Sequence, residues 1–207
     1  MTDRAQEDRA STDRGVWTIP NLISVVRLAC IPVFCWLLFD DEQTAAFVVL
    51  GVLGATDWVD GWIARRFDQG SDIGKVLDPT ADRLLLIVAS LALLIDGVVP
   101  LWVGIAVLAR EALVGIATLA LAAAGAARID VQWAGKAGTF AIMFALPGFL
   151  LVEITSGTTS EVIEVLTWIV TITGLILSYY AAARYIPLAR AALRDGRATP
   201  AVEGARP

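Results

Sequence analysis

Six long apolar stretches constrain this chain more than any other feature of its sequence. Each approaches or exceeds the roughly 20 residues that an α-helix needs to cross the hydrocarbon core of a bilayer. They cover residues 21–39, 44–64, 76–96, 100–124, 133–154 and 161–187. Hydrophobic residues make up 57% of the 207 residues, a share above that of soluble domains, so an unusually apolar soluble bundle is the weaker alternative. We therefore predict an all-α integral membrane protein with six transmembrane helices.

The two ends of the chain differ from this apolar body. Residues 1–16 are polar and mixed in charge, which predicts a disordered cytoplasmic N-terminus. Residues 191–207 are basic at first and then rich in Pro, Gly and Ala, which predicts a flexible cytoplasmic tail. Residues 17–190 show no internal repeat and no second domain, so we expect one six-helix domain.

Positively charged residues are distributed unevenly among the links between the stretches. Lys and Arg occur in residues 1–16, 65–75, 125–136 and the tail, whereas the links around 40–43, 96–100 and 155–164 contain none. Cytoplasmic loops of membrane proteins carry the excess of Lys and Arg. Because six helices place both termini on one side, we predict cytoplasmic termini in a multi-pass protein of the cell membrane, either inner or plasma.

Two pairs of aspartates flank one cytoplasmic link. Asp57 and Asp60 are three residues apart, and Asp78 and Asp82 are four apart, so each pair shares a helix face. A tight link between antiparallel helices brings the two faces together, and four carboxylates at a membrane boundary need positive charge nearby. The chain contains no histidine, and an all-oxygen site favours one or two Mg²⁺ or Mn²⁺ ions over zinc.

Small residues and an arginine lie between the aspartate pairs. Gly61, Ala64 and Gly74 remove side-chain bulk, and Arg65 offers a planar fork for phosphate. This combination predicts a pocket in which the backbone approaches a phosphorylated ligand closely. The alternative is that the small residues serve helix packing and the aspartates face interfacial water. Four aspartates in helical register favour the ligand site.

The same segment resembles the signature of the CDP-alcohol phosphatidyltransferase family, D-x2-D-G-x2-A-R-x8-G-x3-D-x3-D. The eight fixed positions are filled, with every spacing kept, by Asp57, Asp60, Gly61, Ala64, Arg65, Gly74, Asp78 and Asp82. Eight fixed positions are far more specific than a short motif. The six-helix plan and the cytoplasmic termini also resemble the family.

The resemblance implies a role for each residue of the signature. It implies that Asp57, Asp60 and Asp78 ligate a two-metal centre of Mg²⁺ or Mn²⁺, and that Asp82 is the catalytic base and also contacts a metal. The residues implied to bind the CDP group are Asp57, Gly61, Ala64, Arg65 and Gly74. The implied donor is CDP-diacylglycerol, whose acyl chains stay in membrane lipid while CMP is released towards the cytoplasm. A homodimer is also implied, and no nucleic-acid partner is expected.

Three positively charged residues outside the signature lie within or next to apolar stretches. A charged side chain costs free energy within a membrane, so these residues indicate a function. By resemblance to family members, Arg110, Lys136 and Arg184 hold a phosphate of the acceptor. The alternatives are an ion pair of Arg110 with Glu111, and extension of Arg184 to the membrane surface. Arg27 in the first stretch either pairs with the aspartate cluster or extends to the surface, and the sequence does not choose between these.

The choice of acceptor depends on the start of the fifth stretch. The segments TIPNLISVVRLACIPVF and LAREALV resemble the branch of the family whose acceptors carry glycerol. Members that use glycerol 3-phosphate commonly show G-K-x-K-T there, whereas this chain has Gly138 in place of the second lysine. One fewer cation suits the single charge of phosphatidylglycerol better than the nearly double charge of glycerol 3-phosphate. We expect phosphatidylglycerol as acceptor and cardiolipin as product, and expect Gly138→Lys to lose that activity or to gain some activity with glycerol 3-phosphate.

Other functions explain the same residues less well. Glycerol 3-phosphate is the main alternative acceptor, ahead of inositol phosphate and serine. A non-catalytic membrane metal carrier or transporter would explain the aspartates and a cation. It would not explain Gly61, Ala64, Arg65 and Gly74 at these spacings.

Overall fold

The computed structural model describes the backbone of residues 19–67, 74–123 and 133–198 and the side chains of residues 22–56, 80–119 and 133–184. Within these ranges the chain is helical and contains no strand, which confirms the all-α prediction. Each predicted apolar stretch corresponds to one helix. The helices are α1 (Ile19–Phe39), α2 (Gln43–Phe67), α3 (Gly74–Asp96), α4 (Leu101–Ala123), α5 (Trp133–Ile154) and α6 (Gly157–Ala198). The predicted disorder of residues 1–16 lies outside the described residues.

The helices carry the apolar surface of a membrane protein. Over the described residues, four windows are long and apolar enough to cross a bilayer: Leu22–Phe39, Leu101–Leu119, Trp133–Ile154 and Gly157–Arg184. Large apolar side chains such as Trp36, Ile116 and Ile176 are exposed on these helices. In water, exposed apolar surfaces of this kind cause proteins to associate, whereas in a bilayer the lipid chains cover them. The chain is a multi-pass membrane protein.

The chain divides into two compact units, Met1–Val98 and Val99–Pro207. In the first unit α1 packs against both α2 and α3. The buried face of α1 recurs at intervals of three and four residues, as expected for one stripe of a helix. Its members are Ser24, Arg27, Ile31, Phe34 and Leu38. An arginine therefore occupies a position of this stripe at which an apolar residue would normally lie.

A short acidic link joins α1 to α2. The backbone N–H of Asp40 donates to the carbonyl of Trp36 at 3.0 Å, and that of Glu42 donates to the carbonyl of Leu37 at 3.0 Å. Asp41 between them has a φ of 62°, the left-handed conformation that commonly ends a helix. These bonds satisfy carbonyls at the end of α1 and reverse the chain within three residues.

In the second unit α6 packs along α5 and also contacts α4. Near one end of this unit the indoles of Trp102 and Trp168 stack with centroids 5.7 Å apart, and Phe149 meets Trp168 edge-on at 5.5 Å. These rings come from α4, α6 and α5 respectively. Further along α6, the hydroxyl of Tyr179 donates to the carbonyl of Ala106 at 2.8 Å. Aromatic packing and this hydrogen bond thus tie the three helices together.

The link between α5 and α6 is two residues long. Gly157, with a φ of +67°, opens α6 in a conformation that L side chains rarely adopt. The hydroxyl of Ser160 donates back to the carbonyl of Val152 at 3.2 Å and so satisfies a group at the end of α5. α6 starts earlier than the predicted stretch and continues to Ala198. The first part of the predicted tail, residues 191–198, is therefore helical.

Candidate active site

The signature aspartates lie on two continuous helices. α2 contains Asp57 and Asp60, and α3 contains Asp78 and Asp82. Positions three and four apart on an α-helix share a face, so the two helices place the members of each pair on one face, as predicted. The remaining signature positions also fall on these helices: Gly61, Ala64 and Arg65 on α2, and Gly74 at the first position of α3.

Asp82 is the signature residue whose side chain the structure describes, since the side chains of residues 57–79 lie outside the described part. Its side chain is 29% exposed. Its Oδ1 accepts a hydrogen bond from Nη1 of Arg27, with which it forms an ion pair between α1 and α3. Of the two alternatives considered for Arg27, the structure shows the pair with an aspartate of the predicted cluster.

Burial explains why this ion pair matters for the first unit. The side chain of Arg27 is fully buried, with an exposed fraction of 0%. A buried guanidinium without a carboxylate partner would cost several kcal/mol, so α1 and α3 are held together by an interaction that neither partner can lose cheaply. The sequence contained the signal that a cation lies within α1, but the partner depends on how the helices pack.

The predicted metal centre fits the donor chemistry of these helices. The two aspartate pairs supply carboxylate oxygens alone, the ligand type that Mg²⁺ and Mn²⁺ prefer. The helices continue without interruption through both pairs, which preserves their register. Asp82 is a partly exposed carboxylate, as a residue that contacts a substrate or a metal requires. The metal assignment stays a prediction for all four aspartates.

In the second unit, Arg110 is directed into the protein interior. It is 6% exposed and forms an ion pair with the neighbouring Glu111, which is 4% exposed. Its Nη2 donates to the hydroxyl of Thr139 on α5 at 2.7 Å. That hydroxyl in turn donates to the carbonyl of Gly135 at 3.0 Å. The structural pair with Glu111, considered as the alternative for Arg110, is therefore present, and its role in binding the acceptor stays a prediction.

Lys136 and Arg184 are both exposed, unlike Arg110. The guanidinium of Arg184 lies 6.0 Å from the ring centroid of Tyr180, one turn earlier on α6, and its Nη1 lies 3.5 Å from the phenol oxygen. Arg184 and Tyr180 line a groove of about 520 Å³ together with Trp133, Ala134 and Leu177. No described hydrogen bond joins Lys136, Arg184 and Arg110. The spacing of four between Tyr180 and Arg184 was the sequence signal for this contact.

Gly138 lies at a close contact between α5 and α6. A Cβ atom placed there would meet Oγ of Ser178, the backbone nitrogen of Ser178 at 2.7 Å and the carbonyl oxygen of Gly174 at 2.9 Å. Backbone atoms of a packed helix cannot rotate away as a side chain can. A lysine at this position would therefore have to move α5 or α6, and the effect of Gly138→Lys on the choice of acceptor stays a prediction.

Comparison with known proteins agrees with this geometry. The sequence matches the CDP-alcohol phosphatidyltransferase family over residues 17–180, and the chain belongs to that family. It is an enzyme of the class that transfers a phosphatidyl group from a CDP-activated lipid.

Among named relatives, the chain is 37% identical to the cardiolipin synthase (CMP-forming) of Streptomyces coelicolor over 195 residues, 91% of this chain and 90% of that protein. It is 28% identical to the CDP-diacylglycerol–glycerol-3-phosphate 3-phosphatidyltransferase of Haemophilus influenzae, covering 86% of this chain and 97% of the relative. The Bacillus subtilis enzyme of the same name is 32% identical over 66% of this chain and 78% of its own length.

Proposed function

We propose that this enzyme is a cardiolipin synthase, which transfers the phosphatidyl group of CDP-diacylglycerol to phosphatidylglycerol and releases CMP. The main support for this proposal is the similarity, over nine-tenths of both chains, to the Streptomyces protein named for this reaction. The α5–α6 contact at Gly138 supports the same acceptor, because a lysine could be accommodated at this position, where a second cation would bind a phosphomonoester, only if one of the helices moved.

The proposed chemistry assigns the proton transfer to Asp82. Its carboxylate takes the proton of the acceptor hydroxyl, whose oxygen forms a bond to the β-phosphorus of CDP-diacylglycerol. The bond from that phosphorus to the bridging oxygen breaks, and CMP leaves with the electron pair. The residues proposed to hold the CDP group during this step are Asp57, Gly61, Ala64, Arg65 and Gly74. Arg110, Lys136 and Arg184 are proposed to hold the non-reacting phosphate of the acceptor.

Asp57, Asp60 and Asp78, together with Asp82, are proposed to bind two Mg²⁺ or Mn²⁺ ions. Such ions stabilise negative charge that develops on a transferring phosphoryl group and on its leaving group. The support is the histidine-free set of carboxylates and its helical register on α2 and α3.

The proposed setting follows the charge pattern of the links. Residues 17–190 act as one six-helix domain that spans the cell membrane six times, with both termini and the aspartates on the cytoplasmic side. The enzyme is proposed to be a homodimer. Cysteines introduced into residues 1–16 and 199–207 should react with an impermeant maleimide in inverted vesicles but not in intact cells.

The acceptor is tested with purified enzyme, CDP-diacylglycerol, Mg²⁺ and either phosphatidylglycerol or glycerol 3-phosphate. We expect CMP release and cardiolipin, identified by mass spectrometry, with phosphatidylglycerol. Product formed with glycerol 3-phosphate alone would assign the chain to the second candidate reaction, which the Haemophilus and Bacillus relatives favour. That result would leave the family reaction intact.

A further inference from the structure

The contact between Arg27 and Asp82 links a fully buried cation to a carboxylate that is 29% exposed. The two residues are 55 positions apart and lie on different helices. A long arginine side chain in a membrane helix can usually extend to the interface, where its charge stays hydrated. Arg27 instead lies within the buried stripe of α1 and gives up that hydration.

Burial of this kind is costly unless the geometry of the pair is good, and it contributes little net stability even then. The buried pair does, however, restrict the orientation of the carboxylate. A guanidinium is planar and presents its N–H groups in a rigid fork, so it fixes the orientation of a carboxylate more strictly than an ammonium does. The partner held in this way is the residue to which proton transfer is assigned.

We propose that Arg27 is a positioning residue: its guanidinium, buried between α1 and α3, fixes the direction of the Asp82 carboxylate towards the acceptor hydroxyl. The proposal rests on the proposed function of Asp82 as the base. Because Arg27 is fully buried and is proposed to act through Asp82, its loss should slow the chemical step without weakening binding of the donor. A misplacement of about 1 Å in a reacting group can cost on the order of 100-fold in rate.

The test measures kcat and both KM values for Arg27→Met and Arg27→Lys in the full-length enzyme. Arg27→Met should lower kcat about 100-fold and leave the KM for CDP-diacylglycerol within about threefold. Arg27→Lys keeps the positive charge but loses the planar fork of the guanidinium. Its kcat should therefore be about tenfold higher than that of Arg27→Met and about tenfold lower than that of the wild type. Binding of CDP-diacylglycerol, measured by its effect on the thermal midpoint, should stay close to that of the wild type for both variants.

Leu38→Ala provides the control for simple destabilisation. Leu38 is buried in the same stripe of α1, 11 positions further along, and has no contact with Asp82 among the described interactions. Its truncation should lower the thermal midpoint but keep kcat within about threefold at temperatures where the protein is folded. A kcat for Arg27→Lys that falls no further than that of Leu38→Ala at an equal loss of midpoint would mean a purely structural role and overturn the proposal.

Two further comparisons keep the outcome decisive. Arg27→Met removes the guanidinium that pairs with Asp82 and can prevent folding. In that case the kcat of Arg27→Lys decides: a tenfold loss supports the proposal and an unchanged kcat overturns it. Asp82→Asn is measured in parallel and should be inactive while still binding CDP-diacylglycerol. Normal turnover of Asp82→Asn would remove the base assignment itself. Inactive Asp82→Asn together with fully active Arg27 variants would overturn the positioning role alone.

Discussion

A single methyl group added at Gly138 should separate α5 from α6. In Gly138→Ala the new Cβ atom falls 2.7 Å from the backbone nitrogen of Ser178 and 2.9 Å from the carbonyl oxygen of Gly174. Both are backbone atoms, so the contact is relieved by moving a helix and not by changing a rotamer. The helices are also close at the facing glycine, since a Cβ atom at Gly174 would lie 3.0 Å from the Cβ of Ala141.

The magnitude follows from two opposing effects. Overpacking of a close-packed interior costs about 1–3 kcal/mol, and contact with backbone atoms points to the upper part of that range. Replacing glycine by alanine within a helix returns about 1 kcal/mol. The net loss is then about 1–2 kcal/mol, which for a chain of this size lowers the thermal midpoint by roughly 2–8 °C.

Gly115→Ala on α4 is the matched control, since a Cβ atom there meets nothing within 4 Å. The helix propensity gain is the same, so its thermal midpoint should be unchanged or slightly raised. Both variants are compared with the wild type in detergent micelles by heating and following tryptophan fluorescence and monodispersity. Equal midpoints for Gly138→Ala and Gly115→Ala would refute the close approach of α5 and α6 at Gly138.

Three further predictions concern the metals, the acceptor and pH. Exhaustive chelation should abolish CMP release, and added Mg²⁺ or Mn²⁺ should restore it; turnover that survives chelation would contradict the metal centre. Lys136→Ala or Arg184→Ala removes one charge-assisted contact of about 1.5–3 kcal/mol, so the acceptor KM should rise roughly 10- to 100-fold at a constant donor KM. Asp96 is the last residue of α3, and burial, together with the negative charge of Asp41, raises its pKa. Its ionisation therefore opposes folding as pH rises above the ordinary range of an aspartate, and Asp96→Asn should raise the thermal midpoint at pH 7 but not at pH 3.

Sequence length and apolar pattern predicted the helices well because a bilayer sets the length of a spanning helix independently of its neighbours. The bounds of α5, Trp133–Ile154, coincide with the predicted stretch. α6 is the exception, since its start depends on the turn at Gly157 and its end continues through residues that are no longer apolar. Hydropathy reports where a helix can lie in lipid, and not where its hydrogen bonds stop.

The candidate site was predictable only where spacing along one helix defines it. Asp57 and Asp60, or Asp78 and Asp82, need no tertiary information to share a face. The pair of Arg27 with Asp82 could not be chosen from the sequence, because it depends on the rotation of α1 against α3. The steric role of Gly138 could not be predicted for the same reason. The sequence shows only that a glycine replaces a lysine, and the close contact with α6 depends on how the two helices pack.

The separation of Arg27 and Asp82 along the chain also has a consequence for biogenesis. Translation at about 5–20 residues per second places roughly 3–11 s between the synthesis of two residues that are 55 positions apart. During that interval α1 meets the membrane before its carboxylate partner exists. Its apolar window Leu22–Phe39, with a mean hydropathy of 2.3, must therefore outweigh the insertion penalty of one arginine. The ion pair can form only when α3 arrives, which makes docking of α3 onto α1 a late event in assembly of the first unit.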